Sequence, residues 1–143
     1  MIKVKYYKGG NVPLKFQTNG AAGVDLPIAA DPIIHPGEIH VVKTGIIVEI
    51  PEGYVGEISL RSSSAKRGLV IPNAPGLVDS DYRGEVKIVL GNISNVPIEL
   101  VYGHRIAQMT FRKVEPVEMI QVDDPSELSI TERGEGGLGS TGV

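Results

Sequence analysis

Short apolar runs, separated by closely spaced glycines and prolines, are the feature of this sequence that most restricts its fold. Glycine occurs 18 times and proline 10 times in 143 residues. Residues 85–90 alternate apolar with polar side chains as a half-buried strand does, and no periodic apolar segment is long enough for a substantial helix. Such punctuation is typical of short strands joined by turns. The sequence therefore predicts an all-β chain of one domain, with about two-thirds of its unfolded surface buried.

The same pattern predicts where the elements lie. Strands are predicted at residues 2–7, 39–50, 55–60, 69–71, 85–90, 96–101, 105–111 and 114–122. Lys8 to Asn11 is expected to form a turn, and Pro51 to Tyr54 predicts a hairpin between the strands on either side of it. Short helical turns are expected at residues 63–67 and 124–128.

Charge and composition exclude several classes of function. The formal net charge is −3, so the chain lacks the basic footprint of a non-specific nucleic-acid binder. It has no cysteine, which excludes disulfides, thiolate nucleophiles and cysteine zinc sites and suits a reducing compartment. His35, His40 and His104 lack the spacing of a metal site. The N-terminus resembles a strand rather than a signal peptide, and no apolar run could span a bilayer. We expect a cytoplasmic protein without direct nucleic-acid or membrane partners.

The stretch from Gly76 to Gly84 concentrates reactive side chains. Asp79, Asp81, Tyr82 and Arg83 all fall within five residues. A glycine at each end permits unusual backbone conformations or close approach by another group. If this stretch is extended, Asp79 and Asp81 point to the same side, and one carboxylate could meet a substrate beside the aromatic ring. The alternative is ordinary turn chemistry, in which these carboxylates bond their own backbone.

Two polar segments precede that stretch. Residues 61–68 carry three cationic side chains and three hydroxyls. If residues 63–67 form a helical turn, its N–H groups and these hydroxyls would converge on an anion; the alternative is a solvated basic loop. Asn73, in the turn from Pro72 to Pro75, offers a donor and an acceptor that match the edge of a base. Asparagine is also common in plain turns.

The chain ends in a glycine-rich segment, residues 133–143, with five glycines among eleven residues. Such a segment is expected to be mobile. Arg133 followed by glycines and hydroxyls suits a lid that closes on phosphates, and a frayed end is the alternative. No Walker-type loop is present, so a triphosphate would be held by separate loops. Asp25, after a stretch rich in glycine and alanine, could serve a ligand or bond nearby N–H groups.

Together these segments resemble, in order, the five motifs of the trimeric deoxyuridine triphosphatase (dUTPase) family. The matching segments are Ala22 to Leu26, Arg61-Ser62-Ser63, Asn73 to Gly84, Gly103 to Gln108 and Arg133 to Gly142. One such motif is weak evidence, whereas five in order are highly specific. The resemblance implies a distorted β jelly-roll domain at residues 1–132 and a flexible lid at 133–143. It also implies a homotrimer whose active sites are shared between subunits.

The resemblance further implies hydrolysis of dUTP to dUMP and pyrophosphate, which would keep uracil out of DNA and supply dUMP for thymidylate synthesis. Asp79 would act as the general base for in-line attack of water on the α-phosphorus. The cofactor would be Mg²⁺, carried mainly by the phosphate oxygens, with Asp25 reaching its water shell.

Substrate contacts are implied for a larger set of residues. They are Arg61, Ser62, Ser63, Asn73, Gly76, Leu77, Val78, Tyr82, Lys87, Gln108, Arg133, Leu138, Gly139 and Ser140. Asn73 and nearby backbone groups would recognise the uracil edge and reject cytosine, whose donor and acceptor positions are exchanged. Tyr82 would lie under the deoxyribose and block a 2′-hydroxyl. Arg61 and Gln108 would hold phosphates, and Arg133 would close over them.

Some positions depart from the family pattern. Leu138 stands where most relatives have an aromatic residue, which removes a stacking contribution of about 1 kcal/mol. The spacing from Arg61 to Gly68 is similar to that of dCTP deaminases, so a deaminase or a bifunctional enzyme is the alternative activity. Deaminases use a glutamate on the strand after the third motif, and residues 86–90 contain none. A non-enzymatic alternative is a trimer that binds dUTP as a sensor or scaffold.

Overall fold

The computed structural model describes residues 1–10 and 14–142. Asn11 of the predicted first turn and Val143 of the predicted lid lie outside the described residues. The strands are β1 Lys5–Lys8, β2 Val24–Pro27, β3 Ile33–Ile34, β4 Ile39–Glu49, β5 Tyr54–Leu60, β6 Leu69–Val70, β7 Gly76–Val78, β8 Glu85–Asn92, β9 Ile98–Glu99 and β10 Arg105–Lys113. The helices are α1 Ser62–Lys66 and a short 3₁₀ turn, Pro125–Glu127. No helix in the described ranges is long and apolar enough to cross a membrane.

Two four-stranded antiparallel sheets form the body of the molecule. Their strand orders are β1-β4-β8-β6 and β2-β10-β5-β7, and β3 pairs with β9 in a small third sheet. In β4, buried and more exposed residues alternate from Val42 to Glu49, and β8 and β10 follow a similar pattern because alternate side chains of a strand point to opposite faces. The buried side chains of both large sheets join one apolar core, with Ile46 and Leu90 fully buried. The all-β prediction is confirmed, in a jelly-roll-like arrangement.

The predicted hairpin between residues 39–50 and 55–60 is wrong. β4 pairs with β1 and β8 in the first sheet, whereas β5 pairs with β10 and β7 in the second. The turn is present, since the Tyr54 N–H donates to the Pro51 carbonyl at 3.2 Å, but it carries the chain from one layer to the other. Ile50, 2 % exposed, is buried where the chain crosses. Each strand buries its apolar face against the opposite sheet, which a hairpin within one sheet would not achieve.

The strand predicted at residues 114–122 is also wrong. The last backbone hydrogen bond between this segment and the two-sheet body runs from the Val114 N–H to the Gly53 carbonyl, at 2.8 Å. Beyond it, Val117, Met119 and Ile120 are 80 %, 90 % and 77 % exposed. Alternating apolar residues form a strand only when another strand pairs with them, and the described part of this chain provides no partner. The strand predicted at 96–101 shortens to Ile98–Glu99.

Candidate active site

The connection from β7 to β8 carries the chain from the second sheet into the first. β7 pairs with β5 at the edge of its sheet, through Gly76, Leu77 and Val78. The chain then turns, and the Tyr82 N–H donates to the Asp79 carbonyl at 3.2 Å. The extended arrangement that would align Asp79 with Asp81 is therefore wrong. A turn is favoured here because the next strand must start in a different layer.

This connection closes a cavity of about 190 Å³. Its lining residues are Ile58, Asn73, Gly76, Leu77, Val78, Asp79, Tyr82, Glu85, Val86 and Lys87. Every site residue predicted between Asn73 and Lys87 is among them. Buried Ile58, Val78 and Val86 supply the apolar part of the wall, and the polar groups stand at the exposed side.

The polar groups at this cavity differ in how firmly they are held. The Tyr82 hydroxyl donates to the Glu85 carbonyl at 2.9 Å, although the residue is 42 % exposed. Arg83 stabilises the turn by donating to the Ser80 carbonyl at 2.7 Å and the Tyr82 carbonyl at 3.0 Å. Within residues 1–10 and 14–142, the Asp79 carboxylate accepts no hydrogen bond, which leaves it able to accept a proton from water.

A second polar cluster crosses the other end of the second sheet. Asp25 on β2, Gln108 on β10 and Ser59 on β5 are directly opposite one another in register. Residues opposite one another on neighbouring strands place their side chains on the same face of a sheet. The Gln108 amide reaches the Ser59 hydroxyl at 3.5 Å. The strand pairing thus lines up three polar side chains in a row.

Asp25 ties two arginines to this row. Its side chain is 8 % exposed, and its two carboxylate oxygens accept from Arg61 Nε at 3.1 Å and Arg105 Nη1 at 3.2 Å. A buried carboxylate needs such partners because desolvation is costly. Arg61 also donates to the Arg105 carbonyl at 3.2 Å. Two guanidinium groups around one carboxylate leave a net positive charge, which suits an anionic phosphate.

The predicted helical turn after Arg61 is present as α1. Ser62 and Ser63 are exposed on it, whereas Ser64 is buried. Of the other cations in this loop, Arg67 donates to the Glu99 carbonyl at 3.0 Å. None of the residues in α1 or in the Asp25 row lines the cavity beside Asp79. One copy of the chain therefore presents the cavity beside Asp79 and the cationic cluster as two separate surfaces.

The residues that could hold a divalent metal are few. In the described ranges, no group of three or more histidine, aspartate or glutamate side chains could enclose a metal ion. The Asp25 oxygens already face two guanidinium groups, but each carboxylate oxygen retains a further lone pair. This donor set would fit Mg²⁺ only if most of the oxygen ligands of the ion came from outside the chain.

The glycine-rich end makes only local hydrogen bonds in the described part of the chain. Arg133 Nε donates to the Gly136 carbonyl at 2.7 Å, and the Gly136 N–H returns a bond to the Arg133 carbonyl at 3.1 Å. Leu138, fully exposed, has a φ of 47° in the left-handed region. Gly139 and Ser140 lie in the same series of turns. The structure does not bring these four predicted residues to the cavity.

Sequence reasoning missed several residues at the two surfaces. Arg105 and Ser59 were absent from the predicted site because their position beside Asp25 depends on the pairing of β2, β10 and β5. Glu85 and Ile58 were missed because the cavity draws on both sheets. The alternation of polar with apolar residues in 105–111 could not have indicated Arg105, because it is broken at Ile106 and Ala107, where the register of β10 against β2 shifts.

Comparisons of the sequence and of the structure with known proteins all lead to the same family. A family model described as dUTPase matches residues 12–142. The deoxyuridine 5′-triphosphate nucleotidohydrolase of Nautilia profundicola is 48 % identical over 142 residues, covering 99 % of this chain and 98 % of that one. A structure of the Staphylococcus bacteriophage 80alpha dUTPase with dUPNHPP is 28 % identical, with a TM-score of 0.85 and full coverage of both chains. A D95N mutant dUTPase from phage phi11 of S. aureus, described with a structural Mg(II) ion, has the same fold at 23 % identity, covering 87 % of this chain and 99 % of that one, with a TM-score of 0.75.

Proposed function

The chain belongs to the dUTPase family, and on that premise we propose that it hydrolyses dUTP to dUMP and pyrophosphate at the cavity beside Asp79. The observation that carries this proposal is the composition of one small cavity. The Asp79 carboxylate, the Tyr82 ring and the Asn73 amide line the same space of about 190 Å³. One site thus contains a carboxylate that can act as general base, an aromatic ring that can lie against a sugar and an amide that can recognise a nucleobase.

Recognition of the nucleoside follows from the chemistry of the lining. The Asn73 amide can donate to one atom of the uracil edge and accept from another, helped by the backbone at Leu77 and Val78. Cytosine would leave those groups unpaired, which is a strong basis for rejection. The Tyr82 ring lies under the deoxyribose and leaves no room for a 2′-hydroxyl. Lys87 and Gly76 complete the wall.

The chemical step uses Asp79 as general base. The Asp79 carboxylate accepts a proton from the attacking water as the water oxygen bonds to the α-phosphorus. The bond from that phosphorus to the bridging oxygen breaks, and pyrophosphate leaves on the opposite side. The other phosphates are held by the Arg61, Ser62, Ser63 and Gln108 surface.

We propose that the complete site is assembled in a homotrimer. The Arg61 surface and the Asp79 cavity do not share a lining on one chain, so a second copy can supply the phosphate contacts. The exposed apolar residues Val117, Met119 and Ile120 support an arm that packs on a neighbouring subunit. The lid, residues 133–143, would bring Arg133, Leu138, Gly139 and Ser140 over the substrate. Sedimentation equilibrium should give the mass of three chains, and a monomer that turns over dUTP would contradict this arrangement.

Magnesium is proposed as the cofactor. When bound, it neutralises charge on the triphosphate, and Asp25 would contact a water of its shell. The described residues offer no closed ligand cage, which favours an ion that arrives with the substrate. The cytoplasm, where deoxynucleotides are made, is the proposed compartment.

Hydrolysis in water enriched in ¹⁸O tests the proposed reaction. Attack at the α-phosphorus puts the label in dUMP, whereas attack at the β-phosphorus would put it in pyrophosphate and would contradict the proposed reaction at the α-phosphorus. Asp79→Asn should keep dUTP affinity within a few-fold and lose turnover by orders of magnitude, because only proton acceptance is removed. Asp81→Asn is the matched control, since Asp81 belongs to the same turn but does not line the cavity. Equal losses in the two variants would contradict the assignment.

A further inference from the structure

Two neighbours along the chain fix the position of the Tyr82 ring. The first is Glu85, whose backbone carbonyl accepts the Tyr82 hydroxyl at 2.9 Å. The second is Gly84, over which the ring folds back. A methyl group built on Gly84 would lie 2.5 Å from Cζ and 2.8 Å from Cε2 of Tyr82 and would overlap its hydroxyl oxygen. The ring can occupy this position only because residue 84 has no side chain.

Glu85 is itself anchored to the neighbouring strand. Its side chain accepts from the Gly45 N–H at 2.8 Å. Gly45 has a φ of 68° and lies where the register between β4 and β8 shifts, between the pairs Lys43↔Lys87 and Ile47↔Glu85. A bulge of this kind bends the strand that carries it, which here is β4. The Glu85 carboxylate therefore links the start of β8 to the bulge.

Thr44 fixes the same bulge from inside the core. Its hydroxyl donates to the Val86 carbonyl at 2.6 Å and accepts from the Ile46 N–H at 3.2 Å. Thr44 is 5 % exposed, so these hydrogen bonds are shielded from water, and the low dielectric of the interior strengthens them. The Glu85 carbonyl that receives Tyr82 thus belongs to a rigid part of the sheet.

We propose that Gly84 and Glu85 are positioning residues for Tyr82 and so determine the discrimination between deoxyribonucleotides and ribonucleotides. This inference rests on the proposed function, in which the ring lies under the sugar. The ring blocks a 2′-hydroxyl only while it lies close to the sugar, so displacing the ring reduces the discrimination. Tyr82 is 42 % exposed and has space to swing once its two restraints are lost.

Gly84→Ala tests the requirement for a residue without a side chain at position 84. The φ of Gly84 lies outside the left-handed region, so the backbone accepts alanine and the ring is what must move. Bringing Cζ from 2.5 Å to an ordinary contact of 3.4 Å requires a shift of almost 1 Å. A misplacement of about 1 Å can cost about 100-fold in rate. We expect the ratio of kcat/KM for dUTP to that for UTP to fall by at least about tenfold, within that limit.

Two comparisons isolate the ring. In a Tyr82→Ala background the same Gly84→Ala change should have no further effect on the ratio, because nothing remains for the methyl group to displace. Gly20→Ala is the matched control, since a methyl group there meets nothing within 4 Å. Equal effects of Gly84→Ala with and without the Tyr82 ring would overturn the inference.

Glu85→Ala and Glu85→Gln test the anchoring of the Glu85 carbonyl that accepts the Tyr82 hydroxyl. Glutamine keeps an oxygen that accepts from the Gly45 N–H and should preserve the dUTP to UTP ratio. Alanine loses the bond to the bulge and should lower the ratio by about tenfold, roughly the preference that one well-placed hydrogen bond supports. Glu49→Ala removes a carboxylate from an exposed ion pair with Lys5 elsewhere on β4 and should leave the ratio unchanged. Thermal unfolding of each variant identifies a loss that is merely structural, since instability alone lowers the rates for both nucleotides together.

The outcomes separate this inference from the proposed function. A wild-type protein that fails to hydrolyse dUTP contradicts the proposed function itself. A wild-type protein that hydrolyses dUTP and rejects UTP, with unchanged ratios in Gly84→Ala and Glu85→Ala, overturns only the positioning role.

Discussion

Replacing Asp25 with asparagine should weaken both the fold and the binding of the triphosphate. The Asp25 side chain is 8 % exposed and accepts from Arg61 at 3.1 Å and Arg105 at 3.2 Å. Asparagine keeps the shape but carries no charge and has one acceptor oxygen instead of two. One guanidinium group would therefore face an amide donor.

The magnitude can be bracketed from the burial of the partners. Removing one partner of a fully buried pair costs about 3–5 kcal/mol, and a fully exposed pair contributes about 1 kcal/mol or less. The Arg61 and Arg105 side chains are 32 % and 40 % exposed, so water takes up part of their charge. We expect the free energy of unfolding to fall by about 2 kcal/mol, between these limits.

Urea unfolding followed by circular dichroism measures this loss. With a slope of about 1–3 kcal/mol per molar urea, the midpoint should fall by about 1 M. All samples need the same protomer concentration, because assembly contributes to stability. Asp81→Asn removes the same charge from an exposed turn and should not shift the midpoint. The KM for dUTP should rise in Asp25→Asn because Arg61 loses its orientation. A wild-type midpoint together with a wild-type KM would refute the reasoning.

Three further changes have defined outcomes. Deleting residues 133–143 should leave the midpoint of urea unfolding unchanged and reduce kcat severely, because the segment makes only local bonds and would act after substrate binds; a truncated chain that unfolds would show a structural role instead. Leu138→Phe should lower the KM for dUTP by about fivefold through about 1 kcal/mol of stacking on the base, and an unchanged KM in steady-state assays would argue against lid contact. The pKa of the exposed Glu38 carboxyl is lowered from 4.5, first by the bond from the His35 N–H and then by His40. The stability that this lowered pKa adds to the folded state is therefore present above pH 4.5, and it is lost as the pH falls through the lower pKa of Glu38 in the folded state. Glu38→Gln should lose less stability than the wild type between pH 6 and pH 3, and identical losses in urea titrations would contradict this sign.

The sequence predicted the parts of the molecule that depend on local patterns. The strands at 39–50, 55–60, 85–90 and 105–111 appear close to their predicted bounds because alternation and turn residues are visible within a few positions. The residues between Asn73 and Lys87 also meet at one cavity, since they are nearly contiguous in the chain. Local sequence was sufficient there.

Pairing between distant strands could not be predicted. The assumed hairpin failed because β4 and β5 find their partners at residues 5–8, 76–78, 85–92 and 105–113, far along the chain. Arg105 was not predicted as a site residue for the same reason, since its contact with Asp25 spans 80 residues of the chain. The expected strand at 114–122 failed for a related reason, since an alternating segment needs a partner that the described part of the chain does not supply.

Product analysis with four nucleotides tests the central claim most directly. The protein and Mg²⁺ are incubated separately with dUTP, dCTP, dTTP and UTP, and nucleotides and pyrophosphate are resolved by chromatography. We expect monophosphate and pyrophosphate from dUTP alone, because Asn73 rejects cytosine and Tyr82 rejects the ribose in the proposed site, and because the resemblance to dUTPases implies a slot too tight for the 5-methyl group of thymine. Formation of dUTP or dUMP from dCTP would contradict dUTP hydrolysis as the main activity in favour of a deaminase, and binding of dUTP without turnover would contradict it in favour of a sensor.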